Sequence, residues 1–220
     1  MSDKASERTI PAVNASGALD GDALADHISA VVEQGAAAFL AGRRWFGDKA
    51  RRIERAETFD VAVVSAGPDY FAPTLVTVGF ADGGSAAYFL PLVITLESLP
   101  EDATLGTVVH GEDHWRLVEG LSVPRFQEWL LSRLEAPATL PMQAGTLQFE
   151  PTSVLSRYLA VAQTGGSRAI TGEQSNTSII YGDAAILKAF RKIQPGVNPD
   201  IEIGAYLTEE TEFRHVPPVL

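Results

Sequence analysis

Between Asp20 and Gly42 the apolar residues Leu24, Ile28, Val31 and Val32 recur at helical spacing, and the run continues through Ala36 to Leu40. Asp20 opens this helix and Gly42 reads as its stop. The period then changes. Strand-like segments cover roughly Ile53 to Val64, Thr74 to Phe80 and Ala86 to Val93, with Gly67-Pro68 and Asp82-Gly83-Gly84 as turns. One long helix next to such strands confines residues 20–95 to an α+β arrangement, a helix packed on a curved antiparallel sheet.

From Leu96 the rhythm shifts again. Thr107-Val108-Val109 and Trp115-Arg116-Leu117-Val118 flank the polar turn Gly111-Glu112-Asp113 and predict a hairpin. Ser122 to Leu134 reads as a helix capped by Ser122, with Pro124 in its first turn and Phe126, Trp129, Leu130 and Leu134 on one face. Pro137 to Pro141 reads as a linker. Thr146 to Phe149, Val154 to Leu159, Ser178 to Tyr181 and Ala185 to Phe190 read as short strands. Asn198-Pro199-Asp200 opens a last helix, with Asn198 as cap and Pro199 in the first helical position. Residues 1–17 are polar, lack the apolar core of a signal peptide and read as a frayed tail.

Composition removes several function classes. The net charge of -11 argues against a broad phosphate-backbone footprint on DNA or RNA. With no cysteine, disulfides, thiolate zinc sites and a cysteine nucleophile are excluded. No apolar run approaches the ~20 residues of a membrane helix. The expectation is a cytoplasmic protein with no nucleic-acid and no membrane partner. Any phosphate site must be local.

One such site is legible near the end of the chain. Gly172 to Lys188 reads as strand, polar turn, strand, a second turn at Gly182-Asp183, and a third strand carrying Lys188. A nucleotide kinase needs a tight loop that offers amides and hydroxyls to phosphate oxygens, and a lysine on the neighbouring strand that reaches the α and β phosphates. Ser175, Asn176, Thr177 and Ser178 would form the loop and Lys188 would be the lysine. From spacing alone a hairpin with a surface lysine is the commoner arrangement. Glu202, on the helix opened by Asn198 and 14 residues after Lys188, supplies the glutamate that kinases use to hold that lysine.

Glu173-Gln174-Ser175-Asn176-Thr177-Ser178, Ile186-Leu187-Lys188, Phe190-Arg191-Lys192 and Pro195 to Glu202 together resemble the N-lobe of the bacterial maltokinase family. Arg44-Trp45-Phe46-Gly47-Asp48-Lys49 resembles the same family's N-terminal cap motif, and His215-Val216-Pro217-Pro218 matches its continuation. The resemblance implies a disordered tail over 1–18, a cap over 19–95, an intermediate subdomain and linker over 96–144, and a protein-kinase-like N-lobe with one αC-type helix over 145–220. It implies binding of ATP, with Mg²⁺ in the complete enzyme, by Ser175, Asn176, Thr177, Ser178, Lys188 and Glu202. It further implies phosphorylation of maltose to maltose 1-phosphate, with trehalose synthase as a possible partner. The family's catalytic aspartate, metal ligands and sugar pocket belong to a helical C-lobe that these 220 residues do not contain, so the expectation is a chain inactive by itself. A non-catalytic interaction module and a kinase for another sugar, such as an amino sugar, are the alternatives.

Two other constellations have simpler readings. His110 and His114 are spaced for metal binding only on a helix, and the intervening Gly111 makes the stretch a hairpin turn. Trp45 and Phe46, among Arg43, Arg44, Lys49, Arg51 and Arg52, read as buried anchors with a charged rim rather than as an anion patch.

Overall fold

The computed structural model describes residues 8–17, 19–170, 175–213 and 215–220. β1 (Ala12–Asn14) is followed by α1 (Gly21–Ala41). Asp20 starts the helix because its carboxylate accepts the Ala23 N–H at 2.9 Å. Gly42 ends it, its N–H turning back to the Phe39 carbonyl. Leu24, Ile28, Val31, Val32, Ala36, Phe39 and Leu40 are all fully buried, so the apolar stripe expected from the sequence is the face α1 packs with.

Eight strands follow: β2 (Ile53–Val61), β3 (Val64–Ala66), β4 (Asp69–Ala72), β5 (Thr74–Phe80), β6 (Ser85–Phe89), β7 (Leu92–Thr95), β8 (Thr104–His110) and β9 (Asp113–Glu119). The remaining elements are α2 (Pro124–Ser132), β10 (Ala138–Pro141), β11 (Thr146–Phe149), α3 (Ser156–Thr164), β12 (Ser167–Ala169), β13 (Asn176–Tyr181), β14 (Ala185–Phe190), β15 (Lys192–Ile193) and α4 (Pro199–Glu209). They form sheets in the orders β1-β8-β9-β7-β4-β3, β15-β6-β5-β2, β12-β13-β14 and β10-β11. The fold is α+β.

The six-stranded sheet is a wall between two cores. Leu92, Ile94 and Leu117 point into a first core with α1 and the four-stranded sheet. Their neighbours Val93 and Val118, with Phe71, point into a second core with α2, Phe149, Ile179 and Tyr181. Successive strand residues face opposite sides, so a strand covered on both sides is buried at every position. That is why every residue of Leu92–Thr95 is buried.

Several expectations need correction. The frayed tail includes β1, which pairs parallel with β8 at Ala12↔Thr107 and is therefore an edge of the six-stranded sheet. The boundary after residue 95 falls inside one sheet, because β7 and β9 are hydrogen-bonded neighbours. The run from Ala86 to Val93 is two strands in two different sheets, broken at Leu90-Pro91. Ser122 does not cap α2: its hydroxyl donates to the Glu119 carbonyl, and Val123 stands at the cap position. The linker at 137–141 contains β10, paired with β11. The predicted strand from Val154 to Leu159 instead leads into α3, whose Leu159 and Ala162 face the second core at helical spacing.

Close packing at the crossing of β1, α1 and β8 is tested at Gly106. A Cβ there would lie 2.3 Å from Val31 Cγ1 and 3.0 Å from the Pro11 carbonyl oxygen. Gly106→Ala is expected to destabilise the fold by roughly 1–3 kcal/mol, seen as a lower urea midpoint with an unchanged slope. Gly21→Ala, where a Cβ meets nothing within 4 Å, serves as the control and should not lower the midpoint.

Candidate functional site

β13 and β14 pair antiparallel with Ser178 opposite Lys188 and Ile180 opposite Ile186. Alternation divides their side chains. Ile179, Tyr181 and Ala189 enter the second core. Ile180, Ile186 and Lys188 line a cavity of about 810 Å³ on the other face. Asp200 and Ile201 of α4 and the segment around Pro218 complete its wall. Tyr181 fixes the sheet from behind, its hydroxyl donating to the Gln127 carbonyl of α2 at 2.7 Å. Burial, with the Glu128 carboxylate, pushes the Tyr181 phenol well above its ordinary value.

Lys188 lies on its strand as expected, half exposed, with Nζ 4.8 Å from the Phe190 ring centroid. Its ionic partner is Asp200, at 3.3 Å, and not Glu202. Asn198 explains the difference. Its side chain accepts the Asp200 N–H at 2.9 Å and starts α4 so that the first turn stands beside β14. At about 100° per residue, Glu202 then lies roughly 200° around the helix from Asp200, and it is exposed.

The expected Ser175–Ser178 turn is also corrected. Ser175 sits at a bend, but Asn176, Thr177 and Ser178 are strand residues paired with Phe190, Ala189 and Lys188. The Ser178 carbonyl also accepts the Ile170 N–H at 2.7 Å, so β13 is bonded on both sides there. Small polar composition favoured a turn, and the ladder with β14, joined at Ser178 by the Ile170 N–H, outweighs that preference. Thr177 points to the face opposite Lys188. Residues 171–174, with Gly172, Glu173 and Gln174, lie outside the described residues.

Sequence reasoning assigned no role to Arg191, the residue that ties this sheet to the rest of the molecule. Its side chain is only 1 % exposed. The guanidinium donates to Glu119 Oε1 at 2.8 Å and to Thr177 Oγ1 at 2.9 Å, and it stacks 4.3 Å from the Trp45 ring centroid. Trp45 and Phe46 are buried. Next to it, Lys192 Nζ bonds Asp48 at 2.8 Å, and the Tyr88 hydroxyl donates to the same carboxylate. Burial pushes the Asp48 carboxyl upward, but hydrogen bonds from Lys192 and Tyr88 and the charges of Lys192 and Arg51 outweigh it, leaving it below its ordinary value. A composition in which Arg191 is one of three cations close to one another (Lys188, Arg191, Lys192) carries no signal that one of them is buried.

His110 closes β8 with Nε2 2.6 Å from the Gly17 carbonyl oxygen, and His114 stands on the facing strand. Among the described residues no three His, Asp or Glu side chains converge as a metal cluster, and no helix is long and apolar enough to cross a membrane.

Two substitutions test this geometry. Because both members of the Lys188–Asp200 pair are solvent-exposed, Asp200→Asn should change stability by no more than about 0.5 kcal/mol in a urea melt. Asp48 has a depressed folded pKa, so its contribution is full above the unfolded carboxylate pKa and is lost as pH falls through the folded value. Between about pH 5 and about pH 3 the wild type should therefore lose more stability than Asp48→Asn, measured as the shift in melting temperature.

Residues 39–121 match the family model of the maltokinase N-terminal cap domain. The match runs from the last three residues of α1, through the cation-and-aromatic stretch that holds Trp45 and Asp48, to Leu121, just past Glu119 at the end of β9. The chain thus carries a maltokinase N-terminal cap domain, and the match supports the resemblance to the maltokinases.

Proposed function

We propose that this chain is the nucleotide-binding part of an ATP-dependent, maltokinase-like sugar kinase, with Lys188 as the cation for the α and β phosphates. One observation carries the reading: a maltokinase cap is followed in the same chain by a strand whose lysine lines an open cavity of about 810 Å³. The lining suits a nucleotide. Ile180, Ile186 and Ile201 offer apolar surface to a base, and Lys188 supplies positive charge on the same face. Phosphoryl transfer depends on positioning and charge stabilisation, so a lysine held on a rigid strand is the part of the machinery these residues contribute.

In this reading Asp200 holds the lysine ready. Phosphate oxygens are stronger acceptors for an ammonium than an exposed carboxylate, and the 3.3 Å contact gives way when they arrive. Ser178, opposite Lys188 in the ladder, places a hydroxyl on the lysine's face. Mg²⁺ would enter with the phosphates, and no step is assigned to it. Maltose, and an amino sugar as the alternative acceptor, are left to residues other than those described.

The test is titration of the chain with a fluorescent ATP analogue. Saturable binding is expected, with Lys188→Met at least about tenfold weaker while circular dichroism is unchanged. Equal binding by Lys188→Met would overturn the assignment of the lysine. Absence of binding by the wild type would instead favour a non-catalytic role for the cap-bearing chain.

A further inference from the structure

We propose that Arg191 is a positioning residue that clamps the Lys188 strand to the cap, so that the cap forms part of the nucleotide site's framework instead of an appended module. The proposal rests on the reading of Lys188 as the phosphate cation. Side chains alternate along an extended strand, so Lys188 and Phe190 share the cavity face while Ala189 and Arg191 face the opposite way. The same short stretch therefore holds the candidate ligand-binding cation on one side and the cap on the other.

Every anchor of the clamp except Thr177 comes from the segment matched as cap. Glu119 at the end of β9 takes the charge at 2.8 Å, the Phe89 carbonyl at the end of β6 accepts a further N–H at 3.4 Å, and Trp45 stacks beneath the guanidinium. The backbone joins in. Phe89 N–H donates to the Arg191 carbonyl at 2.7 Å, and β15 continues as an edge strand of the cap sheet through Lys192↔Tyr88 and Ile193↔Ala87. The planar five-donor fork of arginine serves several acceptors at fixed angles, which a lysine cannot do.

A buried charge pair is a poor means to stability alone, because desolvation offsets most of the attraction. Its distinctive consequence is geometric. A guanidinium bonded in three directions and stacked on a ring allows one register between β14 and the cap. Lys188, three residues before Arg191 on the strand that leads into it, inherits that register. The signature of positioning is thus a local loosening of β14 and β15 together with weaker nucleotide binding, with the cap core left intact.

The experiment compares the full chain with Arg191→Met/Glu119→Gln, which removes both charges and leaves neither stranded, and with Arg191→Lys, which keeps the charge and loses the fork. Amide hydrogen exchange and titration with ATP are measured on all three. For the double variant the expected result is at least about tenfold faster exchange in β14 and β15, unchanged protection in α1 and β5, and about tenfold weaker ATP binding. Arg191→Lys should fall between the two, and it carries the test if the double variant does not fold. Unchanged exchange in β14 and β15 overturns the proposal, and so does protection lost evenly across α1 and β5, the mark of a purely structural role. If the wild type binds no ATP, the nucleotide reading of the cavity fails, and local loosening of β14 and β15 still establishes the clamp itself.

Discussion

The contact between the Arg191 guanidinium and the Glu119 carboxylate joins the two halves of this molecule. Both groups are nearly shut off from solvent. Each would be costly to bury alone, so the surface they share is buried only with the two groups paired. The neighbouring Lys192–Asp48 bond and the β15–β6 pairing run along the same seam. A charged pair inside, an ion pair outside and two rungs of strand pairing between them make the seam a joint with a single geometry.

The six-stranded sheet carries that joint into both cores. Its strands are covered by α1 and the four-stranded sheet on one side, and by α2 and the β13–β14 ladder on the other. Glu119 sits at the end of one of its strands, where the chain turns toward α2. The carboxylate also accepts the Leu121 N–H at 3.1 Å, so the turn that aims α2 is braced by the same group that receives Arg191. Gln127 and Tyr181 extend the chain of polar contacts from α2 to β13. The candidate site thus stands on a scaffold continuous with the cap.

Much of the site was legible before the structure. Lys188 was placed on its strand by an apolar run between turn residues, and Asn198-Pro199 marked the start of α4 to the residue. What failed were judgments that needed a neighbour. Asn176 to Ser178 read as a loop because small polar residues favour turns, yet β14 draws them into a ladder. Glu202 was paired with Lys188 by order along the chain, whereas the rotation of α4 presents Asp200. The segment from Ala86 to Val93 read as one strand because apolar composition is blind to a change of sheet.

What the sequence by itself determined was the local alphabet of this protein: a capped helix at Asp20, strands between glycine and proline turns, a second capped helix at Asn198, and the cap motif around Trp45. Those features act over a few residues, through backbone preference, side-chain capping and periodicity, so they can be read without a fold. Only the tertiary structure decided that residues 12–14 close a sheet, that one sheet serves two cores, and that Arg191 is buried against a carboxylate 72 residues earlier in the chain. Such pairings are fixed by which faces meet when the layers pack. Nothing in the local pattern distinguishes the buried arginine at 191 from the exposed lysine beside it.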